Sequence, residues 1–303
     1  MSSILKTKDL TKKFGSFTAL DGVDIEVNKG EVYGFIGPNG AGKSTTIRIL
    51  LGILKATEGR AEIFGEDVWK QAVELHKRIA YVPGDVNLWP NLTGGEVIDL
   101  FTKLRGGGNK NNRREELIEK FKLDPTKKCR TYSKGNRQKV ALVSAFSSDA
   151  DLYILDEPTS GLDPLMEQVF QETIKGVKHE GKSVLLSSHI LSEVEKLCDS
   201  VGIIREGKII ESGTLDEMRH LTRTHFLVKT KDTIPSLENF QGVHDLENTD
   251  QELTFQVDTE ELDAVVRHIS GYGILKLEST PPTLEDLFMR HYEHKEAGAG
   301  GAS

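Results

Sequence analysis

Apolar and polar positions follow two different styles along the chain, and the change falls near residue 220. In the first part, short apolar runs alternate with stretches of helical spacing. Residues 4–8 and 23–27 lean toward strand. The run Val-Tyr-Gly-Phe-Ile at 32–36 leads through a glycine-rich loop into the helical stretch Thr-Thr-Ile-Arg-Ile-Leu-Leu at 45–51. A hairpin is expected around 60–65, a loop-rich stretch over 83–91, and a polar segment over 105–112 that opens a helix from 113. The runs 152–155, 183–187 and 201–204 are apolar at successive positions, so both faces must be covered; they are predicted to be central strands of a parallel sheet. Strands alternating with helices predict an α/β layered domain.

Past 221 the strands are short and interrupted by polar residues, at 226–229, 253–257 and 274–277. A helix over 260–269 is opened by Asp258 and Glu261 in capping-box spacing. A second helix, over 284–294, follows Pro281 and Pro282, with Thr283 as its N-cap. The expected division is a large α/β domain over 1–220, a small α+β domain over 221–295, and a flexible tail over 296–303, where Ala, Gly and Ser offer nothing to bury.

Composition narrows the class. With 37 % hydrophobic and 28 % charged residues the chain reads as a soluble globular protein, and no apolar run approaches the roughly 18 residues of a membrane span. The start carries no apolar leader, so the expected location is cytoplasmic, and any membrane role comes through a partner. The two cysteines, Cys129 and Cys198, lie far apart with no metal-like spacing and are expected to be inert. Residues 221–303 hold 7 Lys and Arg against 15 Asp and Glu, which accounts for the whole net charge of −8. An acidic terminal domain repels nucleic acid, so no nucleic-acid partner is expected.

The loop after the run at 32–36 carries the candidate chemistry. Gly37, Pro38, Asn39, Gly40, Ala41, Gly42, Lys43 and Ser44 fill the phosphate-binding pattern G-x-x-x-x-G-K-[ST], with Thr45 following, between a strand and a helix as the pattern requires. Glycines let backbone N–H groups close on phosphate oxygens, Lys43 reaches the β- and γ-phosphates, and the Ser44 hydroxyl ligates Mg²⁺ at the positive end of a helix dipole. A nucleoside triphosphate and Mg²⁺ are therefore the expected cofactors. The strand at 152–155 runs into Asp156 and Glu157. Asp156 is the candidate Mg²⁺ partner and Glu157 the candidate general base.

Tyr132-Ser133-Lys134-Gly135-Asn136-Arg137-Gln138 resembles the signature of ATP-binding cassette proteins, usually Leu-Ser-Gly-Gly-Gln, and the chain is similar to the ATP-binding subunits of ABC transporters from Leu5 to about Gly213. That resemblance implies a P-loop ATPase fold with a helical subdomain. It implies further roles: Phe14 stacking on adenine, Asp163 in the D-loop Ser160-Gly-Leu-Asp163, and His189 as the switch at the γ-phosphate. Ser133, Lys134, Gly135 and Asn136 would serve a nucleotide held by a second subunit, either a copy or a sibling, in a head-to-tail pair. An integral-membrane permease is the implied partner, placing the chain on the inner face of the cell membrane. The same signature and the closing Pro282-Thr-Leu-Glu-Asp-Leu-Phe288 resemble exporters of drugs and antibiotics whose permease is a separate polypeptide.

Two departures from the family pattern bear on turnover. Gly84 stands where a glutamine usually contacts Mg²⁺ and water, leaving Asp85 as a candidate metal contact, and Lys134 and Asn136 replace a glycine and a glutamine in the signature. Two rival readings are a nucleotide-sensing cassette with little turnover and a soluble cassette ATPase acting on ribosomes or DNA. The single cassette without a coiled-coil insertion and the acidic terminal domain argue against the latter.

Overall fold

The computed structural model describes residues 2–105, 111–220, 223–235, 237–249, 252–280 and 283–286. Contacts divide the chain into two compact units, Met1–Gly213 and Thr214–Ser303, so the division falls before residues 215–220 rather than after them.

In the first unit, β1 (Ser3–Phe14) and β2 (Phe17–Asn28) form a long antiparallel pair, with β4 (Glu58–Ile63) and the short β5 (Glu66–Asp67) on the other edge of β1. Both leading strands extend well beyond the predicted 4–8 and 23–27. Their mutual pairing, with several register shifts, carries polar residues such as Lys12 and Asp21 into or beside the ladder. Between them and β4 in the sequence come β3 (Val32–Ile36) and α1 (Lys43–Leu50), which starts inside the glycine-rich loop. Then follow α2 (Ala72–His76), β6 (Ile79–Val82), α3 (Gly94–Leu104), α4 (Asn111–Lys120), α5 (Lys134–Phe146), β7 (Leu152–Asp156), α6 (Pro164–His179), β8 (Ser183–Ser188), α7 (Leu191–Leu197), β9 (Ser200–Arg205) and β10 (Lys208–Thr214).

The main sheet runs β10-β9-β3-β8-β7-β6, with parallel pairing from β9 through to β6. The three predicted apolar strands lie inside this order, and every residue of β3, β7 and β8 is buried. The parallel register matters for the site, because it brings the last residues of β3, β7 and β8 to one end: Ile36 lies beside Ser188, and Asp156 beside Ser187. On the helical side, Thr93 and Glu96 close a reciprocal capping box at α3. Cys129 and Cys198 are free and buried, and burial pushes both thiols up, as expected of inert cysteines.

In the second unit, α8 (Leu215–His220) is followed by β11 (Thr224–Thr230), β12 (Val243–Thr249), β13 (Glu252–Val257), α9 (Leu262–Ser270) and β14 (Ile274–Thr280). The sheet is antiparallel in the order β12-β13-β11-β14, over a core of Phe226, Val228, Phe255, Val257, Val265 and Ile269. The capping box expected at Asp258 is not formed. Its carboxylate instead accepts from Arg223 Nε at 2.9 Å and lies 2.8 Å from His244 Nε2, because a charge-assisted bond from the guanidinium outcompetes a backbone N–H. Thr283 does act as an N-cap: its Oγ1 accepts from the Asp286 N–H at 3.2 Å. The rest of the expected helix over 284–294, Pro281 and Pro282, the middle of the polar segment and the tail over 296–303 lie outside the described residues.

Candidate functional site

The glycine-rich loop joins the end of β3 to α1, and only glycine fits two of its positions. A Cβ on Gly37 would fall 2.3 Å from Ile204 O. Gly42 takes φ +117 as the N-cap of α1, and a Cβ there would meet Leu20 Cδ2 at 2.6 Å and Ala19 O at 3.2 Å. No side chain caps α1 and its first turn holds no acid, so the opening N–H groups are available to an anionic ligand. Lys43 is only 5 % exposed, and its Nζ donates to Gly37 O at 2.6 Å and Pro38 O at 3.2 Å. Burial pushes the Lys43 ammonium below the ordinary lysine range, against the pull of Glu157 and Asp156. A buried cation beside an uncapped helix start fits a phosphate group.

The end of β7 supplies the carboxylates. Asp156 Oδ2 accepts from Ser44 Oγ at 2.9 Å and its Oδ1 accepts from Ser187 Oγ at 2.8 Å. Ser187 was expected only as part of a central strand, with no role at the site; it is at Asp156 because β8 pairs with β7 in parallel. Among the described residues no group of three or more His, Cys, Asp or Glu is placed to hold a metal. One hydroxyl and one carboxylate suit Mg²⁺, a hard cation that completes its shell with phosphate oxygens and water. Glu157 sits in a left-handed conformation at φ +47, its N–H bonded to Ser187 O at 2.9 Å. This strained turn aims its carboxylate back over the loop, with Oε1 at 3.6 Å from Lys43 Nζ and 3.3 Å from His189 Nδ1. Lys43 and His189 thus both lie within 4 Å of the Glu157 carboxylate.

Other expected residues are placed elsewhere. Asp163 caps α6, accepting from the Met166 N–H at 3.0 Å. Ser133 starts α5 and accepts from the Asn136 N–H at 3.3 Å. Lys134 Nζ donates to Ser160 Oγ at 2.8 Å, so its bond runs to the loop after β7 in its own chain. Gly135 lies so near that loop that a Cβ would fall 2.4 Å from Gly161 O. The buried Gln138, to which the sequence reading gave no role, ties α5 to the same loop through Pro158 O at 2.9 Å. Phe14 ends β1 with its ring 49 % exposed and Lys12 Nζ 5.0 Å from its centre. Asp85 is exposed and pairs with Asn87 Nδ2 at 3.4 Å, while Gly84 packs on β7, where a Cβ would come within 3.2 Å of Asp156 O.

Comparison with known proteins places the chain among relatives. Residues 20–160 match the family described as ABC transporter, and residues 213–292 match the C-terminal domain of the ATP-binding protein DrrA1-3-like family. The bacitracin transport ATP-binding protein BcrA of Bacillus licheniformis is 35 % identical, over 96 % of this chain and 97 % of that protein. The daunorubicin resistance ATP-binding protein DrrA3 of Streptomyces coeruleorubidus is 35 % identical, over 69 % of this chain and 67 % of its own. A solved ATP-binding subunit of an ABC transporter superposes with TM-score 0.69 at 35 % identity, covering 72 % of this chain and 92 % of that one. The dimeric bacterial ABC transporter cassette MJ0796 superposes with TM-score 0.64 at 25 % identity, covering 70 % and 98 % respectively. The chain therefore belongs to the ATP-binding subunits of ABC transporters, ATPases that couple ATP hydrolysis to transport across a membrane.

Proposed function

We propose that this chain energises an exporter of antibiotics or drugs, and that the loop from Gly37 to Thr45, with Asp156, Glu157 and His189, is its hydrolytic site. The observation that carries the reading is the convergence of Ser44 on Asp156 and of Lys43 and His189 on Glu157. Mg²⁺, held by Ser44 and Asp156, would offset the negative charge of the triphosphate. Gly40, Ala41 and Gly42 present backbone N–H groups to the phosphates, with Pro38 and Asn39 shaping the turn. Lys43 turns its ammonium from Gly37 O and Pro38 O toward the γ-phosphate. Glu157 accepts the proton of the attacking water, and His189 holds the γ-phosphate while its Nδ1 faces Glu157. The exposed ring of Phe14 is a surface for adenine.

Ser133, Lys134, Gly135 and Asn136 act on the nucleotide of a second subunit, so that ATP joins the pair and hydrolysis releases it. The likeness to a dimeric cassette supports this arrangement. The pair docks on the inner face of the membrane through a separate permease. No helix among the described residues is long and apolar enough to cross the membrane itself. The cargo class rests on the relatives named for bacitracin transport and daunorubicin resistance. Two experiments test the reading. Cells expressing this chain with its permease should tolerate more bacitracin or daunorubicin, and Lys43→Ala should abolish that gain. Lys134→Glu should weaken MgATP-driven dimerisation more than nucleotide binding by the monomer; equal losses would assign Lys134 to its own subunit's site.

A further inference from the structure

Behind the catalytic pair lies a buried carboxyl group that the hydrolytic mechanism does not use. Glu193, in the first turn of α7, is 5 % exposed. Its Oε2 accepts from Ser188 Oγ at 2.9 Å and from Thr159 Oγ1 at 3.3 Å. Ser188 immediately precedes His189, and its hydroxyl also accepts from the Ile190 N–H at 3.0 Å, so this hydroxyl is fixed from both sides. Thr159 stands on the loop that leads from Glu157 to Asp163, and it too is buried. One oxygen therefore joins the segment carrying the γ-phosphate switch to the segment carrying the general base.

Packing does not require a carboxyl here. Val194 and Leu197 already bury α7 against the sheet, where Val194 Cγ1 reaches the space over Gly34. The second oxygen, Oε1, is buried without a hydrogen-bond partner among the described residues, which costs stability. Burial pushes the Glu193 carboxyl above its ordinary range, against bonds from Ser188 and Thr159 and the nearby His189. A carboxyl that costs the fold stability, yet bridges two segments of the site, is explained by what it holds.

We propose that Glu193 is a positioning residue that clamps the Ser188 end of β8 to the Thr159 loop, fixing His189 relative to Glu157 and passing displacement of the switch to the D-loop. The proposal rests on the roles assigned above to Glu157 and His189. Loss of the clamp misplaces the base without touching the phosphate loop, so binding and turnover should separate.

The test uses the full chain. Glu193→Ala is expected to lower kcat about tenfold, as small misplacements of catalytic groups do, while affinity for a fluorescent ATP analogue stays within about twofold. Amide hydrogen exchange over residues 157–163 should quicken in this variant even without nucleotide. Glu193→Gln, which keeps an oxygen acceptor of the same shape, should restore most of the turnover and the slow exchange. Native exchange over 157–163 in Glu193→Ala, a glutamine variant as impaired as the alanine one, or affinity falling in step with kcat would each overturn the proposal. Should Glu193→Ala fail to fold, Thr159→Val removes one strap of the clamp with little change of shape, and native exchange over 157–163 there has the same force. The exchange readout is independent of turnover, so an error in the roles of Glu157 and His189 would abolish the kcat effect and leave the exchange effect standing.

Discussion

Replacing Glu157 by glutamine separates holding ATP from cleaving it, because the two effects have opposite signs. The Glu157 carboxylate lies 3.6 Å from the Lys43 ammonium, and its side chain is 26 % exposed. At that distance and an effective dielectric of about 20, the gross attraction is about 4–5 kcal/mol, most of which desolvation and solvent screening offset. Neutralising Glu157 frees Lys43 for the γ-phosphate, so affinity for MgATP should hold or rise by up to about tenfold. Turnover should fall by a factor of about 10²–10⁴, the usual contribution of a positioned general base. The amide keeps the shape of the side chain and an oxygen facing His189, so the fold is undisturbed. Phosphate release at saturating MgATP measures turnover, titration with a fluorescent ATP analogue measures affinity, and light scattering reports whether an ATP-bound dimer accumulates. Turnover within threefold of native would remove Glu157 from the role of base. Affinity weakened tenfold would mean that its charge supports the phosphate site rather than opposing it.

Gly37→Ala places a Cβ 2.3 Å from the backbone carbonyl oxygen of Ile204; it should cost about 1–3 kcal/mol and lower the thermal midpoint by about 3–9 °C, and an unchanged melt would show that the loop entrance yields. Truncation after Gly213 should leave a folded unit that binds ATP within a few-fold of native affinity, with ATPase activity falling at low protein concentration and recovering at high concentration. An insoluble product would refute independent folding, and concentration-independent activity would assign the second unit to a role other than dimerisation. At Asp258, burial raises the carboxyl, but bonds from His244 and Arg223 outweigh it and leave the pKa below its ordinary 3.8. The stabilisation is therefore complete above about pH 4 and lost as pH falls through the lower folded value, and exposure limits it to about 1 kcal/mol. Asp258→Asn should flatten that acid limb in denaturation measurements on the full chain, and an unaltered pH profile below 4 would show that the pair contributes nothing.

The local signals sufficed where the chemistry is local. The phosphate loop is a contiguous pattern between a strand and a helix, and the apolar runs of β7, β8 and β9 demanded cover on both faces, so loop, central strands and layered fold were legible together. Asp156 and Glu157 stand out in the sequence because they end such a run. The change of style and the acidic excess past 220 marked a second unit, although contacts assign α8 to it. Two features of that unit were legible only in the folded state. The polar strand β12 has no apolar alternation of its own and is defined by its ladder to β13. Asp258 sits in capping spacing, but the fold brings Arg223 and His244 to it first. At the site, tertiary structure alone supplied Ser187 at Asp156, Gln138 at Pro158 and Glu193 between Ser188 and Thr159. Sequence periodicity records which face of an element is covered. Which polar atom meets which across neighbouring strands depends on register between segments distant in the chain, as between Ser187 and Asp156, and that pairing exists only once the sheet has formed.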